Sequence, residues 1–263
     1  MLLVIDIGNT NVVLALLDAE DRVLEERRAP SKDGWTAEQY AAQIRALLCG
    51  RAVRGAAVSS VVPELTGVLS AAAREAAGVT ALVVNSDSPV GLTLAIEQPE
   101  TLGADILAAD AAAAEEYPLP VIVFDFGTAT TVTVVDEQRR YRGGVILPGI
   151  KLGMQALFTG TAQLPDVRIE APAHVICTET VESLQAGAVY GAAAMTDGLV
   201  ERMESELGRP CTAVVTGGLG RFVVPHCRRR LVYDEHLLLR GLGMIWRRAQ
   251  GEIHSCGAMG NAV

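Results

Sequence analysis

Two stretches of this chain carry one phrase, Asp6-Ile7-Gly8-Asn9-Thr10-Asn11 near the start and Asp125-Phe126-Gly127-Thr128-Ala129-Thr130-Thr131 near the middle. Each follows an apolar run and leads through a β-rich segment to a turn, at Asp18-Ala19-Glu20-Asp21 or Asp136-Glu137-Gln138-Arg139. A carboxylate at a strand end can hold a cation, or its water shell, beside phosphate oxygens. A glycine two residues on lets backbone approach an anion. The hydroxyls of Thr10, Thr128, Thr130 and Thr131, the amide of Asn11 and the neighbouring N–H groups can then donate to phosphate. One such aspartate alone equally caps a turn. Two copies in matching contexts predict a nucleotide whose phosphates lie between two glycine-hinged loops.

Three further segments belong with them. Thr216-Gly217-Gly218-Leu219-Gly220 follows an apolar strand; it is either a tight strand–helix turn or a side-chain-free surface for a flat adenine and its ribose. Gly103-Ala104-Asp105 opens a helical run. An aspartate there either favours the helix dipole or accepts the proton of an attacking alcohol in phosphoryl transfer. Gly143-Gly144, before Pro148-Gly149, is a bend towards the same site or a hairpin bulge.

The elements that must position these residues are legible from period and punctuation. Strands are predicted at 2–6, 11–18 and 22–29, then a helix over 37–48 behind Thr36 and ended by Gly50. A strand over 55–62, a helix from Pro63, a strand at 81–84, a polar loop over 86–101 and an alanine-rich helix over 104–116 follow. After Tyr117-Pro118-Leu119-Pro120 the plan repeats. Strands fall at 121–126, 129–136 and 140–147, helices at 150–158 and from about 178 to 207 before Gly208, a strand at 213–216, and a last strand–helix pair ends near Gln250. Strand–strand–strand–helix–strand–helix–strand, twice, is an α/β chain of duplicated ribonuclease-H-like (actin-like ATPase) domains, 1–118 and 119–263, with a central interdomain cleft. The tail 251–263 is expected to fray.

Bulk properties narrow the classes. A formal net charge of -9 over 263 residues argues against binding to a nucleic-acid backbone. The opening apolar run is broken at Asp6, and no run reaches the roughly 18 residues of a membrane span, so neither a leader nor an anchor is expected. The five cysteines are odd in number, scattered and without a CxxC pair, which fits reduced thiols in a cytoplasmic protein. His174, His226, His236 and His254 lack metal-ligand spacing and read as structural or surface residues.

Taken in order, the chain resembles the type III pantothenate kinases of the actin/sugar-kinase/heat-shock-ATPase superfamily over about residues 1–248. The resemblance rests on Asp6-Ile7-Gly8-Asn9-Thr10-Asn11, Leu102-Gly103-Ala104-Asp105, Asp125-Phe126-Gly127-Thr128-Ala129-Thr130-Thr131, Gly144-Val145-Ile146-Leu147-Pro148-Gly149, Thr180-Val181-Glu182-Ser183-Leu184-Gln185-Ala186-Gly187 and Thr216-Gly217-Gly218-Leu219-Gly220. It implies ATP-dependent phosphorylation of pantothenate to 4'-phosphopantothenate, the entry to coenzyme A, by a homodimer using ATP with Mg2+ and a monovalent cation, K+ or NH4+. By the same resemblance ATP contacts Asp6, Ile7, Gly8, Asn9, Thr10, Asn11, Val12, Val13, Thr128, Gly217 and Gly218. Asp125 takes the monovalent cation, and Asp6 is a magnesium candidate through water. Asp105 is the catalytic carboxylate. Pantothenate meets Ile96, Gly103, Ala104, Asp105 and Ile106, with Thr180 reaching it from the neighbouring subunit.

The acceptor side departs from the family pattern. Ile106 stands at its arginine position, Ile96 at its tyrosine and Glu179 at its frequent asparagine. Isoleucine replaces a fixed charged fork with nothing comparable, unless Lys151, Arg140 or Arg142 substitutes. A same-fold kinase of another small alcohol, and a nucleotide-binding regulator without turnover, are therefore the alternatives to a pantothenate kinase.

Overall fold

The computed structural model describes residues 1–32 and 34–252, so the tail beyond Glu252 lies outside the described residues. The chain divides into two compact units. Among the described residues, the first holds Met1–Glu116, Arg139–Tyr141 and 236–252; the second holds Tyr117–Gln138 and Arg142–Glu235.

The first unit is built on β1 (Leu2–Ile7), β2 (Asn11–Leu17), β3 (Val23–Pro30), α1 (Ala37–Leu48), β4 (Ala56–Ser60), α2 (Pro63–Ala77), β5 (Ala81–Val83), the short β6 (Thr93–Leu94) and α3 (Ala104–Glu116). Its five-stranded sheet runs β3-β2-β1-β4-β5, with β2 antiparallel and β4 parallel to β1. Side chains alternate across a strand, and β1 shows what that sorts. Leu3, Ile5 and Ile7 pack with Tyr40, Ile44 and Leu47 of α1 and Leu69 of α2. Leu2 and Val4 pack with Leu107, Ala108 and Ala111 of α3 and with Leu239, Leu242 and Ile245 near the C-terminus. Each fully buried side chain of this size contributes roughly 1.5–3 kcal/mol, and slipping β1 by one residue would turn all of them to the wrong layer.

Helix ends follow local chemistry. Thr36 and Gln39 form a reciprocal capping box at the start of α1, satisfying two otherwise orphaned donors. Gly50, expected from sequence to end the helix, is not itself the cap. The left-handed turn begins one residue earlier, at Cys49 with φ 47°, and continues through Gly50 at 77°. Pro63 occupies the first turn of α2, which Gly78 closes.

The second unit repeats the plan with β7 (Val121–Phe126), β8 (Ala129–Val135), β9 (Arg140–Pro148), α4 (Ile150–Gly160), α5 (Thr180–Leu207), β10 (Thr212–Thr216), α6 (Gly220–Val223) and β11 (Val232–Tyr233). Its strand succession β11-β10-β7-β8-β9 matches the first sheet read from the other side. Burial repeats too: β1 and β7 share one inside–outside pattern, and β2 and β8 share another. Ile122, Phe124, Phe126, Val132 and Val215 pack under α5 through Ala192, Ala193 and Val200.

The units are not contiguous along the chain. The last helix, α7 (Leu237–Ala249), lies on α3 in the first unit, whereas a division at 118/119 assigns it to the second half. Arg139–Tyr141, which lead into and open β9, also belong to the first unit, where Arg140 and Tyr141 pair with Thr93 and Leu94.

Candidate active site

In the first unit the site is assembled at the carboxyl ends of β1 and β4, the end where open α/β sheets bind ligands. Asp6 lies in register with Val13 on one side and Ser59 on the other. Alternation puts it on the same sheet face as Leu2 and Val4, the face that α3 covers. The chain then turns tightly, Gly8 N–H donating to Asn11 O at 3.0 Å. Ser31, just past β3, closes this loop from outside: its Oγ–H donates to Gly8 O at 2.7 Å and its N–H to Thr10 O at 3.3 Å. Asn9, Thr10 and Asn11 are exposed at the tip, while Ile7 and Val12 are core residues. Any ligand contact at Ile7 or Val12 is therefore through backbone.

Asp105 reaches the same end of the sheet from α3. Gly103 O accepts the first helical bond, from Leu107 N–H at 3.1 Å, so Ala104, Asp105 and Ile106 form the first turn. Asp105 Oδ1 accepts from Ile106 N–H at 2.9 Å. Val61, beside Gly103, donates its N–H to Ile7 O at 3.0 Å. One side chain thus separates the start of α3 from the end of β1. Burial raises the Asp105 pKa above the usual carboxylate range, against the pull of N–H bonds from Ile106 and from Asp105 itself. A carboxylate so placed is a better proton acceptor near neutrality than an exposed one. Ile96 and Ile106 are half-buried, and at 106 it is the backbone, common to every residue but proline, that holds the carboxylate.

In the second unit Asp125 lies in register with Thr131 and Thr216, on the sheet face opposite Phe124 and Phe126. Gly149 N–H donates to Thr128 O at 3.1 Å, the counterpart of the Ser31 clasp. Gly217 has φ 82°, and a Cβ there would lie 2.4 Å from Asp125 Oδ1 and 2.7 Å from the Phe126 backbone. The turn therefore closes directly over the aspartate, and Gly218 is exposed beyond it. Thr180 is exposed in the first turn of α5.

One sequence reading needs amendment. Thr130 is not a phosphate donor: it is buried, 1% exposed, and pairs with Phe126, so alternation turns it towards the α5 core. Arg142 is drawn to Asp136, 3.3 Å away, and Lys151 is exposed on α4. Ser31 and Ser59 were missed. Ser59 is fully buried beside Asp6 and its Oγ has no protein partner; the Ser59-Ser60 pair closing an otherwise apolar strand was its only signal.

Among the described residues no three or more His, Cys, Asp or Glu side chains converge as a metal site, and no helix is long and apolar enough to cross a membrane. One aspartate at each loop suits a cation that arrives with phosphates, keeps its waters and takes only one or two carboxylates.

A family model described as type III pantothenate kinase matches residues 2–202. A type III pantothenate kinase of an Exiguobacterium species is 36% identical over 95% of this chain and 100% of its own length. That of Thermomicrobium roseum is 39% identical over 94% of this chain and 97% of its own. Among solved structures, a Campylobacter jejuni protein described as a Baf family transcriptional activator aligns over 95% of this chain and 99% of its own, with TM-score 0.59 and 20% identity. A ROK family glucokinase from Streptomyces griseus, in complex with glucose and AMPPNP, covers 94% of this chain and 99% of its own, with TM-score 0.50 and 14% identity. At such identities these two likenesses establish the fold alone.

Proposed function

The chain belongs to the type III pantothenate kinase family; it transfers the γ-phosphoryl group of ATP to pantothenate, and we propose that Asp105 accepts the proton of the attacking alcohol. The observation that carries this assignment is the anchored carboxylate in the first turn of α3, with its pKa raised by burial. As the acceptor oxygen bonds to the γ-phosphorus, the bond from that phosphorus to the bridging oxygen of ADP breaks, and the alcohol proton passes to Asp105 and then to water. A divalent cation bound with ATP supplies charge neutralisation at the phosphates. Phosphoryl transfer asks mainly for positioning and charge neutralisation, with no covalent intermediate.

The Asp6–Val13 loop and Thr128, Gly217 and Gly218 are assigned to ATP, Asp125 to a potassium or ammonium ion, and Asp6 to magnesium through water. Ile96, Gly103, Ala104 and Ile106 are assigned to the acceptor. Kinship with pantothenate kinases over nearly the whole chain, and a base held by backbone rather than by the side chain at 106, favour neither another alcohol nor a regulator. A screen of small alcohols with ATP, magnesium and potassium, followed by ADP release, tests the acceptor. Pantothenate should give the highest kcat/KM; a better alcohol would reassign the substrate.

The Ser31 clasp gives a second test. Losing a neutral hydrogen bond costs about 1 kcal/mol, so Ser31→Ala is expected to raise KM for ATP about fivefold with kcat little changed. An unaltered KM would detach this loop from ATP.

A homodimer is part of the same proposal. All residues of α4 are at least partly exposed, and Ile146 and Ile176 are 76% and 91% exposed, which suits a covering second copy. Thr180, exposed in the same unit, is then available to the neighbouring subunit's acceptor. Sedimentation at micromolar concentration should return twice the chain mass.

A further inference from the structure

The start of α3 contains a contact that only glycine permits. A Cβ on Gly103 would lie 2.3 Å from Asp105 Oδ1 and 3.5 Å from its Cγ, with Val61 Cγ1 at 3.8 Å. The carboxylate oxygen thus occupies the place where the first side-chain carbon of residue 103 would stand. Backbone strain is not the reason for glycine here, because Gly103 is not among the positive-φ residues. Any L-residue could adopt its backbone. The constraint comes entirely from Asp105.

We propose that Gly103 is a positioning residue for the proton acceptor: its missing side chain lets Asp105 fold Oδ1 back onto the Ile106 N–H, which fixes the carboxylate and leaves Oδ2 to take the proton. The inference rests on the reading of Asp105 as the acceptor. Oδ1 is held from two sides, by the Ile106 N–H at 2.9 Å and by the Gly103 backbone, so the carboxylate plane does not swing. A methyl group at 103 must push Oδ1 away by on the order of 1 Å, and a misplacement of that size costs about 10²-fold in rate. The motif Gly-Ala-Asp is then one device: a gap, a spacer and the group that fills the gap.

The test is a double-mutant cycle of Gly103→Ala and Asp105→Asn on the full chain, read by kcat, KM for ATP, the pH profile of kcat and thermal melting. G103A should fold, keep KM for ATP within about twofold, lose kcat about 10²-fold, and show its acidic limb at higher pH because the carboxylate has lost its donor. With the acceptor saturating, G103A/D105N should have a kcat no lower than that of D105N, since on the chemical step the glycine acts through Asp105; a merely structural role would add a further loss. Wild-type kcat and pH profile in G103A, alongside an inactive D105N, would overturn the positioning role and leave Asp105 as the acceptor. A fully active D105N would overturn both. A G103A protein that melts far below wild type would also overturn the proposal, because the backbone rather than the carboxylate would then have absorbed the methyl.

Discussion

Asp105→Asn is expected to lower kcat by about 10²–10⁴-fold, the usual contribution of a positioned general base, with KM for ATP changed little. Asn keeps an oxygen for the Ile106 N–H that now binds Oδ1 at 2.9 Å, so the first turn of α3 is preserved while the proton acceptor is gone. The pH dependence follows from the direction of the shift. Burial raises the Asp105 pKa, so the acidic limb of kcat should lie above the ordinary aspartate value of about 3.9.

The stability sign runs opposite to the activity sign. A carboxyl with a raised folded pKa binds its proton more tightly in the folded chain than in the unfolded one. Its contribution is therefore fully present below the unfolded pKa and is lost as pH rises through the folded pKa. At neutral pH the ionised group is a burden on the fold, and D105N should melt at or above the wild-type temperature. A variant that loses activity and melts lower would mark Asp105 as a structural cap. Full activity in D105N would remove it from the chemistry.

Gly241→Ala is expected to destabilise the first unit by about 1–2 kcal/mol net, through overpacking of α7 on α3. A Cβ at Gly241 would lie 1.8 Å from Ala108 O and 2.5 Å from its carbonyl carbon. Backbone meets backbone there, and no side chain can rotate aside. Alanine recovers up to about 1 kcal/mol in helix propensity over glycine, which offsets only part of an overpacking cost of about 1–3 kcal/mol or more. In a chain of this size the melting temperature should fall by several degrees, roughly 2–4 °C per kcal/mol. Because α3 carries Asp105, kcat should fall as well. An unchanged melting curve would mean that the two helices separate freely.

What the sequence made legible was whatever a short period or a single residue type encodes. Alternation over β1 and β7 placed both aspartates at matching strand ends, and Thr36 announced the start of α1. The same period misled where it was not applied residue by residue: Thr130 belongs to the donor phrase by spelling, but its place on β8 turns it to the core. Ser31 and Ser59 were hidden because their roles depend on which strand lies beside which loop, and one chain's spelling does not contain that pairing. The position of α7 was hidden for the same reason. Its apolar face shows that it must be covered, whereas the small residues of α3 that cover it lie far back in the chain. Gly103 was visible as part of a motif, yet its reason, an oxygen standing where its Cβ would be, exists only in three dimensions.

The central claim is that this chain phosphorylates pantothenate although isoleucine stands at position 106. The most direct measurement is mass-spectrometric detection of 4'-phosphopantothenate from purified protein supplied with ATP, magnesium, potassium and pantothenate, beside D105N. Many product molecules per chain from the wild type, and almost none from D105N, is the predicted result. ATP bound but no phosphorylated pantothenate at any substrate concentration would contradict it.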